Sequence, residues 1–236
     1  MIAIFKREFK TYFTSPIGYI VLAMIFYIAG SAFTYVNIGY GYTSLSYVFS
    51  NLISYLLLLI LPILTMRLLS EDKRQKTDQA LLTAPVSLTG VVMGKFLAAF
   101  LLFVIGSSIT LLFAVILATK TTPDWLLIFG NYAGLLLLGG TIIAVGLLIS
   151  SLTESQFVAA LCTFLVSYAL LSLDSFASYF SGNAILTAVV EFLSINTRYG
   201  NFTAGVIQYD DIVFFLSLMA LFIFLTVRVL DRKRWN

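Results

Sequence analysis

The residues of this chain whose types could do chemistry are few and unevenly placed. The densest group is Ser70-Glu71-Asp72-Lys73-Arg74-Gln75-Lys76-Thr77-Asp78-Gln79, followed by Ala80-Leu81-Leu82-Thr83-Ala84-Pro85-Val86-Ser87. No glycine or proline interrupts the polar run, so it predicts a short polar helix ended by Pro85; a solvated loop would satisfy the composition equally well. There is no histidine, which removes the commonest general base, the Ser–His dyad and most zinc sites. Cys162 is the only cysteine and lies in an apolar run, where it reads as a small buried hydrophobe. Asp174, Glu191 and the Asp210-Asp211 pair read as solvated caps rather than acid/base partners. Gly90-Val91-Val92-Met93-Gly94-Lys95-Phe96 superficially resembles a phosphate loop. It has three residues between its glycines instead of four, and Phe96 where Ser or Thr must follow the lysine. Gly90 and Gly94 are better read as a small-residue surface that lets helices approach, as are Gly130/Gly134 and Gly140/Ala144.

The elements that must position these groups follow from composition. Of 236 residues, 60% are hydrophobic and 11% charged, against about 45–50% and 25% in ordinary globular chains. So few charges could not cover a soluble fold of this size, and the mean hydropathy of +1.00 agrees. The chain is an all-α integral membrane protein. A spanning helix needs about 20 mainly apolar residues, and six segments qualify: Ile17–Val36, Val48–Met66, Val91–Thr119, Trp125–Ser150, Phe157–Leu173 and Ile212–Val229. Ala184–Leu193 is too short to span and carries Glu191. It predicts a re-entrant or interfacial segment within an extracytoplasmic connection over 174–211.

Basic residues set the expected orientation. Lys6, Arg7 and Lys10 precede span one; Arg67, Lys73, Arg74, Lys76 and Lys95 surround the connection over 67–90; Arg228, Arg232, Lys233 and Arg234 follow span six. Only Lys120 and Arg198 fall on the other side, so both termini are expected in the cytoplasm. Trp125, Tyr132, Tyr179, Tyr199, Tyr209 and Trp235 lie near span ends, as an aromatic belt requires. Span one is too long for a signal-peptide core, and no small-residue cleavage site follows it.

Over 1–15, Phe5, Phe9, Tyr12 and Phe13 fall on one helical face and Lys6, Arg7 and Lys10 on the other. That pattern predicts an interfacial helix with its basic face toward anionic headgroups, broken at Ser15-Pro16. The alternative is a basic flank that only fixes topology. Between spans four and five, Thr153 with Gln156 fits a capping box, and Glu154 a partner for the helix dipole. The centres of the six spans hold no ionisable residue, which disfavours a proton-coupled carrier, though not a passive pore or a backbone-lined sodium site. An intramembrane enzyme finds no aspartyl or Ser–His motif. An ion-coupled carrier or channel without an ATPase remains the alternative function.

Lys6-Arg7-Glu8-Phe9-Lys10 with Thr14-Ser15-Pro16-Ile17-Gly18-Tyr19-Ile20 resembles the opening of ABC-2-type permeases, the membrane subunits of one class of ABC exporter. Thr65-Met66-Arg67 through Ser87 and Gly94-Lys95 is similar to that family's loop between spans two and three, and Ser150-Ser151-Leu152-Thr153-Glu154-Ser155-Gln156 to its second loop. The branch most similar contains gliding-motility-type and nitrous-oxide-reductase-maturation-type permeases. One departure is Lys76, where the family pattern leads us to expect glycine. The resemblance implies a single transmembrane domain over 1–236, with six spans, the interfacial helix and a re-entrant segment before span six. It implies a permease of an exporter in a prokaryotic plasma membrane, no enzyme itself, that couples ATP hydrolysis by a separate ATPase to substrate movement. ATP and magnesium would sit on that partner and no cofactor on this chain. Glu71, Asp72, Lys73, Arg74, Gln75, Thr77, Asp78 and Gln79 would form the ATPase-docking coupling helix, with Glu154 and Gln156 as a secondary contact and Phe5, Lys6, Arg7, Phe9 and Lys10 on the interfacial helix. A second permease copy or a related permease and membrane lipids are the further partners expected; nucleic acid is not.

Overall fold

The computed structural model describes residues 1–76, 87–173 and 194–235, and every regular element among them is helical. Helix α1 (Ile2–Thr14) stops at Ser15, whose backbone is extended because a proline follows. Pro16 opens α2 (Pro16–Phe33), where its missing N–H would have had no partner anyway. The corner between them is tight. A side chain on Gly18 would collide with the Tyr12 carbonyl, so only glycine fits. A π-helical turn, Thr34–Gly39, extends α2. The next rod is α3 (Ser46–Tyr55), a π-helical turn Leu56–Ile60, and α4 (Leu61–Thr65). Pro62 lies just past that turn and removes a donor from the ladder, a common setting for such a widening.

After the short α5 (Ser70–Arg74), α6 (Leu88–Ser107) and α7 (Ile109–Ala118) form one rod interrupted at Ser108. There the hydroxyls of Ser107 and Ser108 donate back to the carbonyls of Val104 and Ile105 at 3.2 and 2.6 Å, a pattern that bends helices. The remaining helices are α8 (Trp125–Leu152), α9 (Gln156–Leu171), α10 (Ile195–Thr203) and α11 (Tyr209–Trp235).

Among the described residues, five stretches are long and apolar enough to cross a membrane: Pro16–Gly39, Ser46–Arg74, Leu88–Ala118, Trp125–Leu152 and Tyr209–Arg232. They overlap the expected spans one to four and six. In place of the expected span five stands α9, apolar but only 16 residues long, about 24 Å of helix. The segment Ala184–Leu193, with Asp174, Tyr179 and Glu191, lies outside the described residues. The protein is an all-α, multi-pass integral membrane protein.

Helix α8 is the centre of the bundle: 72% of its apolar window is buried, against 22–53% in the other four spans. Its glycines show how. In lipid, close packing rather than water exclusion draws helices together, and small residues permit it. Gly130 and Gly134 admit Phe202 of α10, Gly139 the ring of Phe103 from α6, Gly140 the Met219 sulfur from α11, and Gly146 Thr65 from α4. Phe202, seated at the start of α8, lies 6.2 Å from the Phe215 ring of α11, and Met219 meets the middle of α8, so α11 runs parallel to α8 and the C-terminal ends of both lie together.

The end of the bundle where α8 starts is locked by charge. Asp211 accepts from Arg198 Nη1 at 3.0 Å and from Asn201 Nδ2 at 2.8 Å, and the Arg198 guanidinium lies 4.3 Å over the Phe214 ring. This corrects the expectation of a solvated cap for Asp211: it is 2% exposed, because α10 folds back over the start of α11. Asp210 beside it is exposed, as a cap would be.

Gly146→Ala, whose methyl would collide with Thr65, is expected to lower stability by about 1–3 kcal/mol. Gly200→Ala, with open space around it inside α10, is expected to raise it by about 0.5–1 kcal/mol. Thermal unfolding of the two variants in detergent, beside the parent chain, checks both signs.

Candidate functional site

The polar segment expected to protrude is held down along one side. The rod α3–α4 ends at Thr65, four residues turn, and α5 restarts the helix at Ser70. A restarted helix exposes N–H groups without partners, and Leu69, at the capping position, has no side chain to offer them. Ser150, from the end of α8, supplies the cap from across the chain. Its Oγ accepts from the N–H groups of both Leu69 and Ser70 at 2.9 Å and donates to the Met66 carbonyl at 3.3 Å. The favour is returned, since Lys73 Nζ donates to the Ser151 carbonyl near the C-terminus of α8, a place that favours a cation. Arg67 grips Glu71 with two bonds, of 2.5 and 2.6 Å, and so braces the turn between α4 and α5.

Beneath α5 lies a buried charge. Lys95 sits in the second turn of α6 with its side chain 2% exposed, and its ammonium contacts Asp72 Oδ2 at 2.8 Å and Glu8 Oε2 at 3.1 Å. Arg7 binds the other oxygen of Glu8 at 2.7 Å. That bond, above all, holds the Arg7 pKa above its ordinary value. Glu8 can reach Lys95 because α1 lies against α6 at Gly94, where an added methyl would come within 3.0–3.2 Å of Ile4 and the Phe5 amide. Burial, then the Glu8 charge, raises the pKa of Tyr12, so its hydroxyl stays a neutral donor toward the Leu64 carbonyl at 3.5 Å. One lysine thus joins α1, α5 and α6, and one serine joins α5 to α8.

Of the residues singled out in the sequence, Glu71, Asp72 and Lys73 are half-buried or buried and engaged as above, while Arg74 and Gln75 face outward. Gln75 also donates to Glu71 at 3.1 Å. Thr77, Asp78 and Gln79 lie outside the described residues. Of the polar helix expected to run to Pro85, the stretch 77–85 lies outside the described residues; Ser70–Arg74 is helical and a turn follows at Gln75-Lys76. There Lys76 takes φ +57° and its N–H donates to the Lys73 carbonyl at 3.0 Å. This is the left-handed conformation that glycine favours at a helix end, so the bend is made although lysine occupies it.

On α1, Lys6, Arg7 and Lys10 are exposed, and Phe5 and Phe9 half-buried in a ladder with Phe13, at centroid distances of 5.9 and 5.1 Å. Between α8 and α9 the expected capping box of Thr153 and Gln156 is not formed. Ser155 is the cap, its Oγ accepting from Val158 N at 3.4 Å, because Thr153 lies back in the extended turn and accepts from Ser155 N at 3.2 Å. Glu154 is exposed and Gln156 half-buried.

Sequence reasoning missed Glu8, Ser150 and Ser151 as structural partners and placed Lys95 only on a topological flank. Two signals were present. Lys95 is a charged residue near the start of an apolar run, and Glu8 falls on the Phe5–Phe9–Tyr12 face of α1, not among the other charges. Together the contacts tie α5 to α1, α6 and α8.

Apolar helices of spanning length around a glycine-notched centre, with a polar segment fastened across one end, define a multi-pass membrane protein. The chain belongs to the ABC-2 family: the family model described as ABC-2 family transporter protein matches residues 5–172, which run from α1 past the end of α9. It is a permease component of an ABC transporter. No curated protein matches the chain.

Lys95→Met leaves Glu8 and Asp72 facing each other without the cation, and is expected to cost about 3 kcal/mol or more. Adding Glu8→Gln and Asp72→Asn is expected to recover most of the loss. Lys76→Gly, which relieves the left-handed backbone, is expected to gain about 1 kcal/mol. Detergent thermal unfolding of these variants reads all three outcomes.

Proposed function

We propose that this chain is the membrane subunit of an ABC exporter and couples to a separate cytoplasmic ATPase through α5. The observation that carries this reading is the two-sided character of α5: Lys73, Asp72 and Glu71 fasten it to the bundle, and Arg74 and Gln75 remain open on its outer side. A docking helix needs both properties, since a surface on a loose tether would absorb the motion it should transmit. Within the wider set of Glu71, Asp72, Lys73, Arg74, Gln75, Thr77, Asp78 and Gln79, direct contact therefore falls to Arg74 and Gln75, continued by Thr77, Asp78 and Gln79. Glu154, exposed on the neighbouring turn, supplies the secondary contact with Gln156. ATP and magnesium belong to the ATPase.

In this arrangement the end of the bundle carrying α1, α5 and the end of α11 faces the cytoplasm of a prokaryotic cell, as its excess of lysine and arginine requires. Six spans cross the plasma membrane, α9 among them, and α1 lies in the headgroup layer with Lys6, Arg7 and Lys10 toward anionic lipid. A second copy of the chain completes the pathway.

Replacing Arg74 by glutamate and Gln75 by alanine is expected to cut co-purification of the ATPase at least tenfold while expression stays at the parental level. Neither side chain takes part in the Lys95, Lys73 or Ser150 contacts that fasten α5, whereas reversing Glu71 or Asp72 would break the fold's own ion pairs. Undiminished co-purification at normal expression would remove α5 from the coupling route. In a Cys162→Ser background, single cysteines at positions 6 and 74 are expected to react only with reagents added from inside, and labelling from outside would invert the topology.

A further inference from the structure

The connection between α2 and α3 gathers tyrosines. Tyr35, Tyr40, Tyr42 and Tyr47, with Ser44 and Ser46, line an open cavity of about 390 Å³, within the roughly 300–1,000 Å³ usual for small-molecule sites. All four rings are accessible, at 49–65% exposure. The span Pro16–Gly39 is about 36 Å of helix. The cavity therefore lies at the end of the bundle opposite α1 and α5, at the depth of the lipid headgroups.

An aromatic belt scatters tyrosines singly at this depth. Here the backbone makes them converge and holds them. In an α-helix, residues five apart point away from each other. The π-helical turn Thr34–Gly39 widens the ladder and brings Tyr35 and Tyr40 to one side. Their rings meet edge to face at 5.1 Å, with the hydroxyls 3.0 Å apart. The chain then reverses at Gly41, whose φ of +72° suits glycine. Asn37, 7% exposed, ties the reversal down. Its Nδ2 donates to the carbonyls of Tyr42 and Ser44 at 2.7 and 3.0 Å, and the Tyr42 N–H donates to the Val36 carbonyl at 3.3 Å. Ser44 Oγ lies 2.9 Å from Ser46 Oγ and accepts from the Ser46 N–H at 3.2 Å. A guest would meet rings whose backbone is already ordered, which lowers the cost of binding.

The wall also selects a chemistry. No residue from position 11 to 66 is charged, so a carboxylate or phosphate would find no counter-charge in it. An ammonium would gain the ring faces but leave the donor hydrogens of the hydroxyls unused. An alkyl chain would displace water from those hydroxyls without replacing its bonds. A neutral sugar ring uses both kinds of group. Its C–H faces suit the electron-rich faces of tyrosine, and its edge hydroxyls match tyrosine and serine hydroxyls that donate and accept. We propose that this cavity binds a neutral pyranose saccharide, stacked on Tyr42 and Tyr47 and hydrogen-bonded by the Tyr35–Tyr40 and Ser44–Ser46 hydroxyl pairs. Binding here is independent of docking at α5.

Saturation-transfer NMR on the full chain in phosphatidylcholine nanodiscs, with methyl β-maltoside as the probe, reads the contact. Transfer is expected at the C–H protons of the sugar rings. Tyr42→Ala and Tyr47→Ala are each expected to raise the dissociation constant about three- to tenfold, the worth of one stacked aromatic contact. Both side chains are exposed, so the fold survives their loss. Tyr27→Ala, which removes an exposed tyrosine of the same span outside the cavity, is expected to leave the constant unchanged. Glucuronate and glucosamine, which add a charge to the same ring, are expected not to compete. Discs doped with a glucosyl diacylglycerol separate two sources of the sugar: loss of maltoside transfer marks a lipid headgroup as the occupant, and undiminished transfer a soluble glycan. Transfer no greater than with empty discs overturns the proposal, including where a second copy of the chain covers the cavity. So does equal weakening in all three variants, or competition by the charged sugars as strong as by maltose.

Discussion

An ammonium group with almost no contact with water is the constraint on which this structure turns. Removing Lys95 from solvent costs several kcal/mol unless carboxylates replace the lost hydration. Two carboxylates meet it, from Glu8 and Asp72, and they come from elements that the chain separates widely. Neither α1 nor α5 can therefore leave α6 without stranding a buried charge. The amphipathic α1, whose aromatic face would suit a membrane surface alone, is thereby fixed against the bundle. The same pairing turns Asp72 inward, which sets the rotation of α5 and leaves Arg74 and Gln75 on its outer side.

Hydrogen-bond accounting at helix ends completes the fastening. A break between α4 and α5 would leave bare N–H groups in a region poor in water, and the end of α8 has carbonyls of its own to satisfy. Ser150 and Lys73 answer one need with the other. At the opposite end of the bundle Asp211 gathers Arg198 and Asn201 in the same manner. Between these polar locks the packing is apolar and depends on glycines in α8 that let rings and branched side chains reach its backbone. The end of the bundle that carries α5 is thus cross-linked to α1, α6 and α8. A cavity of about 380 Å³ beside Tyr199 lies apart from that end.

The membrane class, five spans of full length and the helical nature of the N-terminus were legible in the sequence, because each depends on local composition or on the spacing of apolar residues. The opening motif and the two loops also carried the family resemblance, and the family model covers the stretch that contains them. What the sequence could not show is who answers whom across the fold. Lys95 reads as a topological flank until Glu8 and Asp72 are brought beside it. Asp211 reads as a solvated cap until α10 folds over it. The Thr153–Gln156 pattern obeys a capping rule, yet the turn places Ser155 at the cap. Lys76 lacks the freedom of glycine and still adopts its conformation, since Gln75 and Lys76 close the last turn of α5 with backbone bonds. Hydropathy and periodicity act along the chain and were settled there. The pairing of buried charges and orphaned hydrogen-bond groups acts through space, and only the tertiary structure decided it.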